Sequence, residues 1–492
     1  MTGFGTGVSP VTDAEAQGRH VLGRTRRIHF VGIGGSGMSG IAELLANLGY
    51  QVSGSDLKAS DVTDRLARLG IRVFEGHDAA HVGDADVVVF SSAVRNTNPE
   101  IVEAERRRIP VIPRAEMLAE LMRLRYGIAV AGANGKTTTT SMIALALERG
   151  GLDPTAVIGG RLSVFGGNAR LGRGDYMVVE ADESDRSFLK LTPAIAVITN
   201  VDYEHLESYG DFEHLCQAFV DFANKAPFYG AIVACVDNDR LRGLLPRMRR
   251  RVITYGLDAP DADVFATDAA IAGFTASCTV WRRVRPGDAA APAGEQRLGT
   301  LRLQVPGRHN LQNALAAVAV AAEVGVGFDR VSAALADFHG AERRFQVHGE
   351  AGGVMVVEDY GHHPSEIQAV IETARAGTGR RLLVAFQPHR YSRTEQLLDR
   401  FGPALAGADE LVLTDIYAAG EDVMPGVTIE RLADAIRSAA PGRPMHVVHP
   451  VEDVPAAVAR LARPGDLVVM LGAGSIGSMA PKVLAALERR FA

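Results

Sequence analysis

The sequence predicts an α/β protein with three domains in series. Short apolar runs alternate with amphipathic helical patterns along nearly the whole chain, and this alternation is typical of parallel, doubly wound sheets. Two of the apolar runs lead into a glycine-rich loop that opens a helix, at GIGGSGM and at GANGKTTTT. A length of 492 residues fits three such domains, because one domain takes about 150 residues.

The predicted strands and helices fall into three consecutive domains. Residues 1–24 are expected to form a disordered lead. The first domain, residues 25–122, contains the strands IHFVGI, YQVSGSD, IRVF and DVVVFSSAV. The second, residues 123–342, runs from GIAVAGANGKTTTT through YMVVEAD, AIAVITN and AIVACVDN to the helix NALAAVAVAAEVG, with VITYG, CTVWRRV and LRLQV as a few antiparallel strands. The third, residues 343–492, contains the strands VMVVEDY, RLLVAFQPHR, ELVLTDIYAAG, MHVVHP and LVVMLGAGSIG.

Composition and charge argue against several classes of protein. A net charge of −6 offers no attraction to nucleic acid or to an anionic membrane. The most apolar stretch, ALAAVAVAAEVGVG, is too short to cross a bilayer, and residues 1–24 lack the apolar core of a signal peptide. Cys216, Cys235 and Cys278 are widely spaced and indicate buried thiols in a reducing compartment. We therefore expect a cytoplasmic protein without membrane insertion, either a monomer or a homodimer.

The first loop, FVGIGGSGM, indicates a pyrophosphate site. Gly32, Gly34 and Gly37 match G-x-G-x-x-G between an apolar run and a helix, and Asp56 follows where an acid would hold a ribose hydroxyl. On this loop alone the chain could be an NAD-dependent oxidoreductase. GAGSIG near the C-terminus matches the same pattern, but too little chain follows it to hold a nucleoside, so we interpret it as a packing turn.

The second loop, VAGANGKTTTTS, predicts an ATP site. Gly132 and Gly135 shape a phosphate cradle at a helix N-terminus, Lys136 supplies a positive charge, and the Thr137 hydroxyl can reach Mg²⁺. The alternative is a turn with an incidental lysine, against which the strand–loop–helix context argues. A dehydrogenase has no use for this loop, whereas a ligase that activates a carboxylate with ATP fits the presence of two phosphate loops.

A series of motifs occurs in the order found in Mur ligases, and the chain resembles that family from about Arg26 onwards: GIGGSGM, SSAV, GANGKTTTT, EADESD, TN with a following acid–histidine pair, HNLQNALAA, DYGHHP and QPHRYSRT. The resemblance implies a Rossmann-like UDP-binding domain, a central P-loop-type ATPase domain and a C-terminal Rossmann-like domain that closes over both. DYGHHP and QPHRYSRT resemble the branch that joins L-alanine to UDP-N-acetylmuramate. In that reaction ATP phosphorylates the lactyl carboxylate, the alanine amine attacks the acyl phosphate, and ADP and phosphate leave.

The resemblance also implies roles for individual residues. The expected catalytic residues are Lys136, Glu180, His205, Arg343, His363 and Arg390. ATP contacts are expected from Gly132, Ala133, Asn134, Gly135, Lys136, Thr137, Thr138, Asn310 and Asn313. A metal ion, Mg²⁺ or Mn²⁺, is expected at Thr137, Glu180 and His205. Substrate contacts are expected from Gly34, Gly35, Ser36, Gly37, Met38, Ser55, Asp56, Ser91, Ser92, Asp359, Tyr360, His362, His389 and Arg393.

The chemistry of the acidic and amide residues agrees with these roles. Glu180 ends an apolar strand, where a carboxylate suits Mg²⁺; for the nearby Asp185 a solvated loop is the alternative. The role of His205 rests on the resemblance, because histidine is unusual on Mg²⁺. Asn310 and Asn313 share a helical face and could read an adenine edge, although Asn310 could instead cap the helix.

The basic residues fall near the second domain junction and after two strands. Arg343 and Arg344 lie where domain closure could bring an arginine to the transferring phosphoryl group; a surface pair is the alternative. The loops DYGHHP and QPHRYSRT follow strands, at the edge where open α/β sheets place ligands, and they carry cations suited to anionic reactants.

Several positions depart from the family pattern. The loop reads GANGKT where GTHGKT is usual, but the backbone cradle and the lysine remain, so we expect ATP binding to persist. Glutamates that are longer than the usual aspartates stand at Glu204, Glu207 and Glu358. The nearest alternative function is a ligase that attaches a recycled tripeptide to the same nucleotide, and a non-catalytic nucleotide sensor is a further one.

Overall fold

The computed structural model describes residues 22–91, 93–162, 167–284 and 294–491. Most of the predicted lead over residues 1–24 lies outside the described residues. The chain divides into two compact units, of which the first ends at Tyr126 and the second begins at Gly127. One sheet lies in the first unit, and two sheets follow along the rest of the chain.

The first unit is built on a five-stranded parallel sheet of order β3-β2-β1-β4-β5. Its strands are β1 (Arg27–Val31), β2 (Gln51–Asp56), β3 (Arg72–Glu75), β4 (Val87–Phe90) and β5 (Val111–Pro113). Its helices are α1 (Ser36–Asn47), α2 (Asp61–Arg68), α3 (Pro99–Arg106) and α4 (Arg114–Met122). Ile28, Phe30 and Val31 of β1 are at most 1% exposed, because both faces of the sheet are covered. The predicted parallel, doubly wound sheet is confirmed.

The next sheet has ten strands in the order β15-β14-β13-β12-β11-β10-β6-β9-β7-β8. The strands are β6 (Tyr126–Ala131), β7 (Thr155–Leu162), β8 (Gly167–Arg170), β9 (Tyr176–Glu180), β10 (Ile195–Ile198), β11 (Ala231–Cys235), β12 (Val252–Gly256), β13 (Val264–Ala272), β14 (Thr275–Val284) and β15 (Gly294–Leu303). The accompanying helices are α5 (Lys136–Arg149), α6 (Leu206–Tyr209), α7 (Phe212–Ala223), α8 (Asp239–Leu244), α9 (Arg308–Glu323) and α10 (Phe328–Ala336).

The antiparallel extension of this sheet differs in detail from the prediction. β13, β14 and β15 pair antiparallel, as expected for a few added strands. The expectation that VITYG would join them is wrong, because β12 pairs parallel to both β11 and β13. β8 adds a further antiparallel edge beside β7. Helices α5 and α9 pack together and are buried on nearly all sides, which explains the continuous apolar run of NALAAVAV.

The third sheet has the order β16-β17-β21-β18-β19-β20, and all its pairings are parallel except that of the edge strand β16. The strands are β16 (Gln346–Ala351), β17 (Val354–Asp359), β18 (Leu382–Phe386), β19 (Glu410–Thr414), β20 (Met445–Val448) and β21 (Leu467–Leu471). The helices are α11 (Pro364–Thr378), α12 (Tyr391–Gln396), α13 (Leu398–Leu405), α14 (Ile429–Ala439), α15 (Val454–Leu461) and α16 (Ala480–Phe491). Apolar clusters cover both faces.

Within the second unit the third sheet's domain contacts the ten-stranded domain through α11. A Cβ added at Gly377 of this helix would lie 2.3 Å from the carbonyl oxygen of Gly273, at the turn between β13 and β14. The rings of Phe274 and Phe345 lie 6.1 Å apart beside this contact. The N-terminal end of α11 and the loops after β17 and β18 therefore face the ATP loop's side of the ten-stranded sheet.

The sequence analysis also singled out the three cysteines and the most apolar stretch of the chain. Cys216, Cys235 and Cys278 are all buried and free. Among the described helices none is both long enough and apolar enough to cross a bilayer.

Candidate active site

The loop between β6 and α5 has the backbone of a phosphate cradle. Gly135 precedes α5 with a φ of 83°, and a Cβ there would lie 2.6 Å from Asn313 Oδ1. Gly132 has a φ of 141°, and a Cβ there would lie 2.0 Å from Thr199 Oγ1. Glycine is therefore required at both positions by the backbone and by the close packing.

Two residues that sequence reasoning left without a role hold this loop in place. The backbone N–H of Asn134 donates to Asn200 Oδ1 at 2.8 Å, and Asn200 Nδ2 donates back to the Asn134 carbonyl at 3.0 Å. Thr199 Oγ1 donates to the same carbonyl at 2.6 Å. The TN pair of the family pattern thus fixes the loop, and the substituted Ala133, which is 8% exposed, is accommodated in the interior.

Lys136 lies at the first position of α5 and is bonded on all sides. Its Nζ donates to the carbonyl of Gly132 at 2.7 Å, to that of Ala133 at 3.1 Å and to Glu183 Oε1 at 2.8 Å. Burial by itself would lower the pKa of Lys136, but the carboxylates of Glu183 and Asp182 outweigh it and hold the pKa above its usual value. The loop therefore carries a permanent positive charge.

Thr137 and Glu180 meet beside the loop and fit a hard cation. The Thr137 hydroxyl donates to Glu180 Oε1 at 3.0 Å, and Glu180 Oε2 accepts from the backbone N–H of Gly159 at 2.7 Å. A hydroxyl and a carboxylate at the end of β9, next to a phosphate cradle, are the oxygen ligands that Mg²⁺ or Mn²⁺ takes in nucleotide sites.

His205 belongs to a different group from the Thr137–Glu180 pair. Its Nε2 lies 3.9 Å from Glu183 Oε1 and 3.8 Å from Glu204 Oε2, and one ligand atom from each of the three residues lies within 4.8 Å of the others. The structure thus separates the expected metal residues into two neighbouring sets. Glu183 and Glu204 were not among the expected ligands; the density of acids in EADESD was the only signal for Glu183.

A cavity of about 230 Å³ extends from the ATP loop to the third sheet's domain. It is lined, among others, by Asn134, Thr138, His309, Asn310, Asn313, Phe338, Arg344 and Asp359. Asn134 Oδ1 is buried there and has no hydrogen-bond partner among the described residues. Burial, aided by the positive charge of Arg344, lowers the pKa of His309 to about 4, so this ring is neutral. The cavity fits an adenine nucleotide whose phosphates lie on the loop.

The two asparagines of α9 both line this cavity. Gly307, rather than Asn310, is the N-cap of α9, and Asn310 Nδ2 donates to the carbonyl of Pro306 at 2.7 Å. Asn313 Oδ1 accepts from Thr139 Oγ1 at 3.0 Å. The capping alternative for Asn310 is therefore not what the structure has, and both amides are buried where a base could meet them.

The structure distinguishes Arg343 from Arg344. The guanidinium of Arg343 donates to Glu358 Oε1 at 2.6 Å and to the carbonyl of Gly472 at 2.9 Å, so it joins elements within its own domain. Arg344 instead lines the nucleotide cavity and bonds Glu366 at 3.3 Å. The geometry favours Arg344 over Arg343 for the contact with the transferring phosphoryl group.

The loop after β17 brings its residues to the same cavity edge. Asp359 accepts from the backbone N–H groups of Phe345 at 2.8 Å and Gly361 at 2.7 Å, and burial raises its pKa to about 6. The guanidinium groups of Arg343 and Arg344 lie 4.7 Å and 5.2 Å from the ring centre of Tyr360. Asp359 thus organises the loop, and Tyr360 contacts both arginines.

The two histidines of this loop are held neutral. Burial lowers the pKa of His362 to about 3 and that of His363 to about 4. Both backbone N–H groups donate to Glu366 Oε2 at the start of α11. His363 Nδ1 pairs with Ser365 Oγ at 2.9 Å, and its Nε2 is buried with no partner in the part of the chain that the structure describes. His363 can therefore offer one ring nitrogen to a ligand.

The loop after β18 borders a second cavity, of about 270 Å³. This cavity is lined by Tyr203, Glu204, His205, Leu206, His363, Arg390, Ser392, Arg393, Gln396, Leu397 and Arg400. His389 lies behind it: its Nδ1 is 3.1 Å from Arg393, and burial lowers its pKa to about 4. Arg390 Nε is buried and has no hydrogen-bond partner in the described ranges. Four of the lining residues were expected from the sequence: His205, His363, Arg390 and Arg393. Tyr203 and Arg400 were not, because segments that are distant in the sequence meet at this cavity.

The loop of the first unit has a cradle of different chemistry. Asp56 Oδ2 accepts from the backbone N–H of Gly34 at 2.7 Å, and Gly35 is the N-cap of α1. A Cβ at Gly37 would lie 2.2 Å from a guanidinium nitrogen of Arg114, a cation that sequence reasoning did not single out.

Some expected substrate residues of the first unit face its interior. Ser55 is fully buried and donates to Glu100 Oε2 at 2.8 Å, and Met38 is 1% exposed in the core. Their side chains are therefore not available to a ligand. Ser91 follows β4 and its hydroxyl accepts from the N–H of Ala93 at 3.4 Å, whereas Ser92 lies outside the described residues. Ser36 is the first residue of α1.

The C-terminal glycine pattern is a packing turn. A Cβ at Gly474 would lie 2.4 Å from Gln387 Oε1, and one at Gly477 would lie 2.2 Å from Glu358 Oε1. The glycines admit these side chains, so no room is left for a nucleotide.

The second unit therefore has the site of an ATP-dependent ligase: a phosphate loop with a charged lysine, oxygen ligands for a cation, and cationic side chains contributed by another domain. Three family descriptions match the chain: the Mur ligase family catalytic domain at residues 27–126, the Mur ligase middle domain at 130–321 and the Mur ligase glutamate ligase domain at 343–474. The chain belongs to the Mur ligase family.

Individual members of the family are similar to the chain over nearly its whole length. A UDP-N-acetylmuramate–L-alanine ligase of Anaeromyxobacter sp. (strain Fw109-5) is 54% identical over 94% of this chain and 98% of its own length. One from Geobacter sulfurreducens is 53% identical over 95% of this chain and 99% of its own. The crystal structure of the UDP-N-acetylmuramate–alanine ligase of Thermotoga maritima has a TM-score of 0.77, with 29% identity over 94% of this chain and 98% of that one. These comparisons give no support to an NAD-dependent oxidoreductase.

Proposed function

We propose that this protein joins L-alanine to the lactyl carboxylate of UDP-N-acetylmuramate in an ATP-dependent reaction of peptidoglycan precursor synthesis. The observation that carries the proposal is that relatives more than half identical to the chain, over nearly its whole length, bear the name of that activity. Small nucleotide substrates and free buried cysteines agree with a cytoplasmic enzyme.

The first chemical step forms an acyl phosphate. An oxygen of the lactyl carboxylate attacks the γ-phosphorus of ATP, the bond from that phosphorus to the β–γ bridging oxygen breaks, and ADP leaves. Lys136 and Arg344 place positive charges where the transferred group carries its negative charge, which lowers the barrier mainly by electrostatics. Mg²⁺ held by Thr137 and Glu180 would supply further charge neutralisation at the phosphates.

The second step forms the amide. The alanine nitrogen attacks the acyl carbon, the bond from that carbon to the phosphate oxygen breaks, and inorganic phosphate and one proton leave. Within the described residues the buried Nε2 of His363 and the buried Nε of Arg390 have no hydrogen-bond partner, so each can bond an oxygen of the substrates.

The tripeptide ligase remains the alternative of the same chemistry. The names of the relatives that are more than half identical to the chain favour a single amino acid as the acceptor.

One assay tests the proposal. The purified chain is supplied with UDP-N-acetylmuramate, Mg²⁺-ATP and one amino acid or the tripeptide, and phosphate release is measured. We expect release that depends on L-alanine. Release with the tripeptide alone would favour the alternative, and no release with any acceptor would refute both.

A further inference from the structure

The second cavity contains one carboxylate among several guanidinium groups. Arg390, Arg393 and Arg400 line it, and Glu204 is the acid that lines it with them. The Glu204 side chain is 11% exposed, and its Oε1 has no hydrogen-bond partner in the described part of the chain, although His363 Nδ1 lies 3.2 Å away. That nitrogen is already paired with Ser365 Oγ. Because buried polar groups are normally hydrogen-bonded, this carboxylate oxygen is suited to a ligand that donates a hydrogen bond.

The two oxygens of Glu204 face different neighbours. Oε2 is the atom that lies 3.8 Å from His205 in the candidate cation group. Oε1 lies on the side of His363, whose Nε2 is also buried and unpartnered. Glu204 can therefore serve the cavity with Oε1 without giving up its position beside His205.

The unpaired atoms of the cavity form a complementary set. Among the residues that the structure describes, Arg390 Nε is a buried donor without an acceptor, and Glu204 Oε1 is a buried acceptor without a donor. A zwitterion satisfies both at once, with its carboxylate toward the arginine and its ammonium toward the glutamate. Leu206 and Leu397 give the same cavity apolar surface for a small side chain.

We propose that Glu204 binds the α-ammonium group of the incoming amino acid and is the residue by which the site selects an amine. The inference rests on the proposed function and deepens it by naming the carboxylate that recognises the second substrate. The ligand class is a small α-amino acid, and a 2-hydroxy acid of the same shape should be rejected, because a hydroxyl brings no positive charge to the buried carboxylate.

The experiment compares Glu204→Gln, Glu204→Asp and the wild type. Glu395→Gln is the matched control, because Glu395 lies on α12 beside the cavity-lining residues but pairs with Arg431 on the surface. The KM values for L-alanine, ATP, UDP-N-acetylmuramate and Mg²⁺ are measured by phosphate release. L-Lactate, which has a hydroxyl in place of the ammonium, is tested as an inhibitor that competes with L-alanine.

We expect Glu204→Gln to raise the KM for L-alanine by roughly 30-fold or more, since a buried charge pair loses one partner. The other KM values should change by less than about threefold. The preference for L-alanine over L-lactate should fall by a similar factor, which a merely structural role would not cause. Glu204→Asp keeps the charge and should recover most of the preference, and Glu395→Gln should match the wild type.

Three outcomes would overturn the proposal. The first is an unchanged preference for alanine over lactate in Glu204→Gln. The second is a rise in the Mg²⁺ requirement in place of the alanine KM, which would make Glu204 a metal ligand. The third is a parallel rise in every KM. If Glu204→Gln does not fold, a Glu204→Ala variant is added as the uncharged reference, and an alanine-to-lactate preference in Glu204→Asp equal to that of Glu204→Ala would also overturn the proposal. Failure of the proposed function would show earlier, as no alanine-dependent release by the wild type.

Discussion

The glycine loops after β1 and β6 occupy the same kind of place in the fold but differ in chemistry. Each follows a buried parallel strand and opens a helix. In the first, the carboxylate of Asp56 accepts from a loop N–H, and the guanidinium of Arg114 lies against Gly37. In the second, Lys136 is part of the loop, and Thr137 bonds a carboxylate that suits a cation.

The difference shows that the glycine spacing specifies a phosphate-binding loop, whereas the surrounding side chains specify which ligand binds there. A pyrophosphate fits either backbone, because both present a helix N-terminus. Phosphoryl transfer needs positive charge at the reacting phosphate, and the second loop supplies it. The first loop should bind without catalysing, and the second should do both.

The largest expected effect follows from removing the charge of the second loop. Lys136→Ala should lower turnover by roughly 10³-fold, because the lost charge acts most strongly in the transition state. The chain should remain folded by circular dichroism, with a lower unfolding midpoint since buried Glu183 loses its partner. Lys225→Ala is the control, because Lys225 bonds a backbone carbonyl away from the loop. Near-normal phosphate release by Lys136→Ala would mean that the ATP site lies elsewhere.

The second-largest effect is expected at Arg344 and should distinguish it from the adjacent Arg343. Arg344→Ala should reduce kcat by roughly 10²-fold, since a cation at the phosphoryl group is lost. Arg343→Ala should change kcat by less than about threefold but lower the unfolding midpoint, because Glu358 loses an ion pair at 2.6 Å. Steady-state kinetics and thermal unfolding of both variants test these two expectations. The reverse pattern would restore the catalytic assignment to Arg343.

A smaller effect is expected at the first loop. Asp56→Ala removes the acceptor of the Gly34 N–H and should raise the KM for UDP-N-acetylmuramate roughly 10-fold, the value of one hydrogen bond to a charged group. The KM for ATP should not change. Initial rates at varied concentrations of each substrate measure both. A lower KM for the UDP-sugar would show that the carboxylate repels the pyrophosphate and would reverse our account of this loop.

The smallest expected effect is a dependence of stability on pH, caused by the burial of His309 in the cavity beside the second loop. The folded pKa of His309 is about 4, against about 6.5 in the unfolded chain. Only the unfolded chain takes up this proton between those values, so stability is lost as the pH falls from 6.5 towards 4. Relative to His309→Gln, the wild type should lose up to about 2 kcal/mol between pH 7 and pH 5. Urea unfolding without nucleotide measures it, and a constant difference would contradict a buried neutral ring.

The sequence predicted the layered fold because parallel sheets leave long apolar strands between amphipathic helices. The strands of the first and third sheets appear where the apolar runs stand. The parallel pairing of β12 was not predictable, because VITYG is too short to distinguish a parallel from an antiparallel neighbour. The edge strand β16 lacks the apolar run that marks the central strands, and all six of its residues are at least partly exposed.

The candidate site was predictable where its chemistry is local. Thr137 and the two asparagines of α9 line the cavity that their motifs indicated, and Lys136 is the first residue of the helix that opens beside it. Arg343 and Arg344 could not be separated, because Arg343 has a φ of 62° and turns the chain between two neighbouring guanidinium groups. No spacing rule predicts such a reversal.

Helix α11 has a mechanical consequence for the two cavities. One of its ends touches the β13–β14 turn through Gly377 and Gly273, where no side chain intervenes. Its other end carries His363 and Glu366, and its 15 residues span about 22 Å. The apolar face of the helix is buried in the core of its own domain, so the helix and that domain hold together as one body. The glycine contact therefore sets how closely this domain approaches the ten-stranded one, and any side chain at Gly377 would push the two apart.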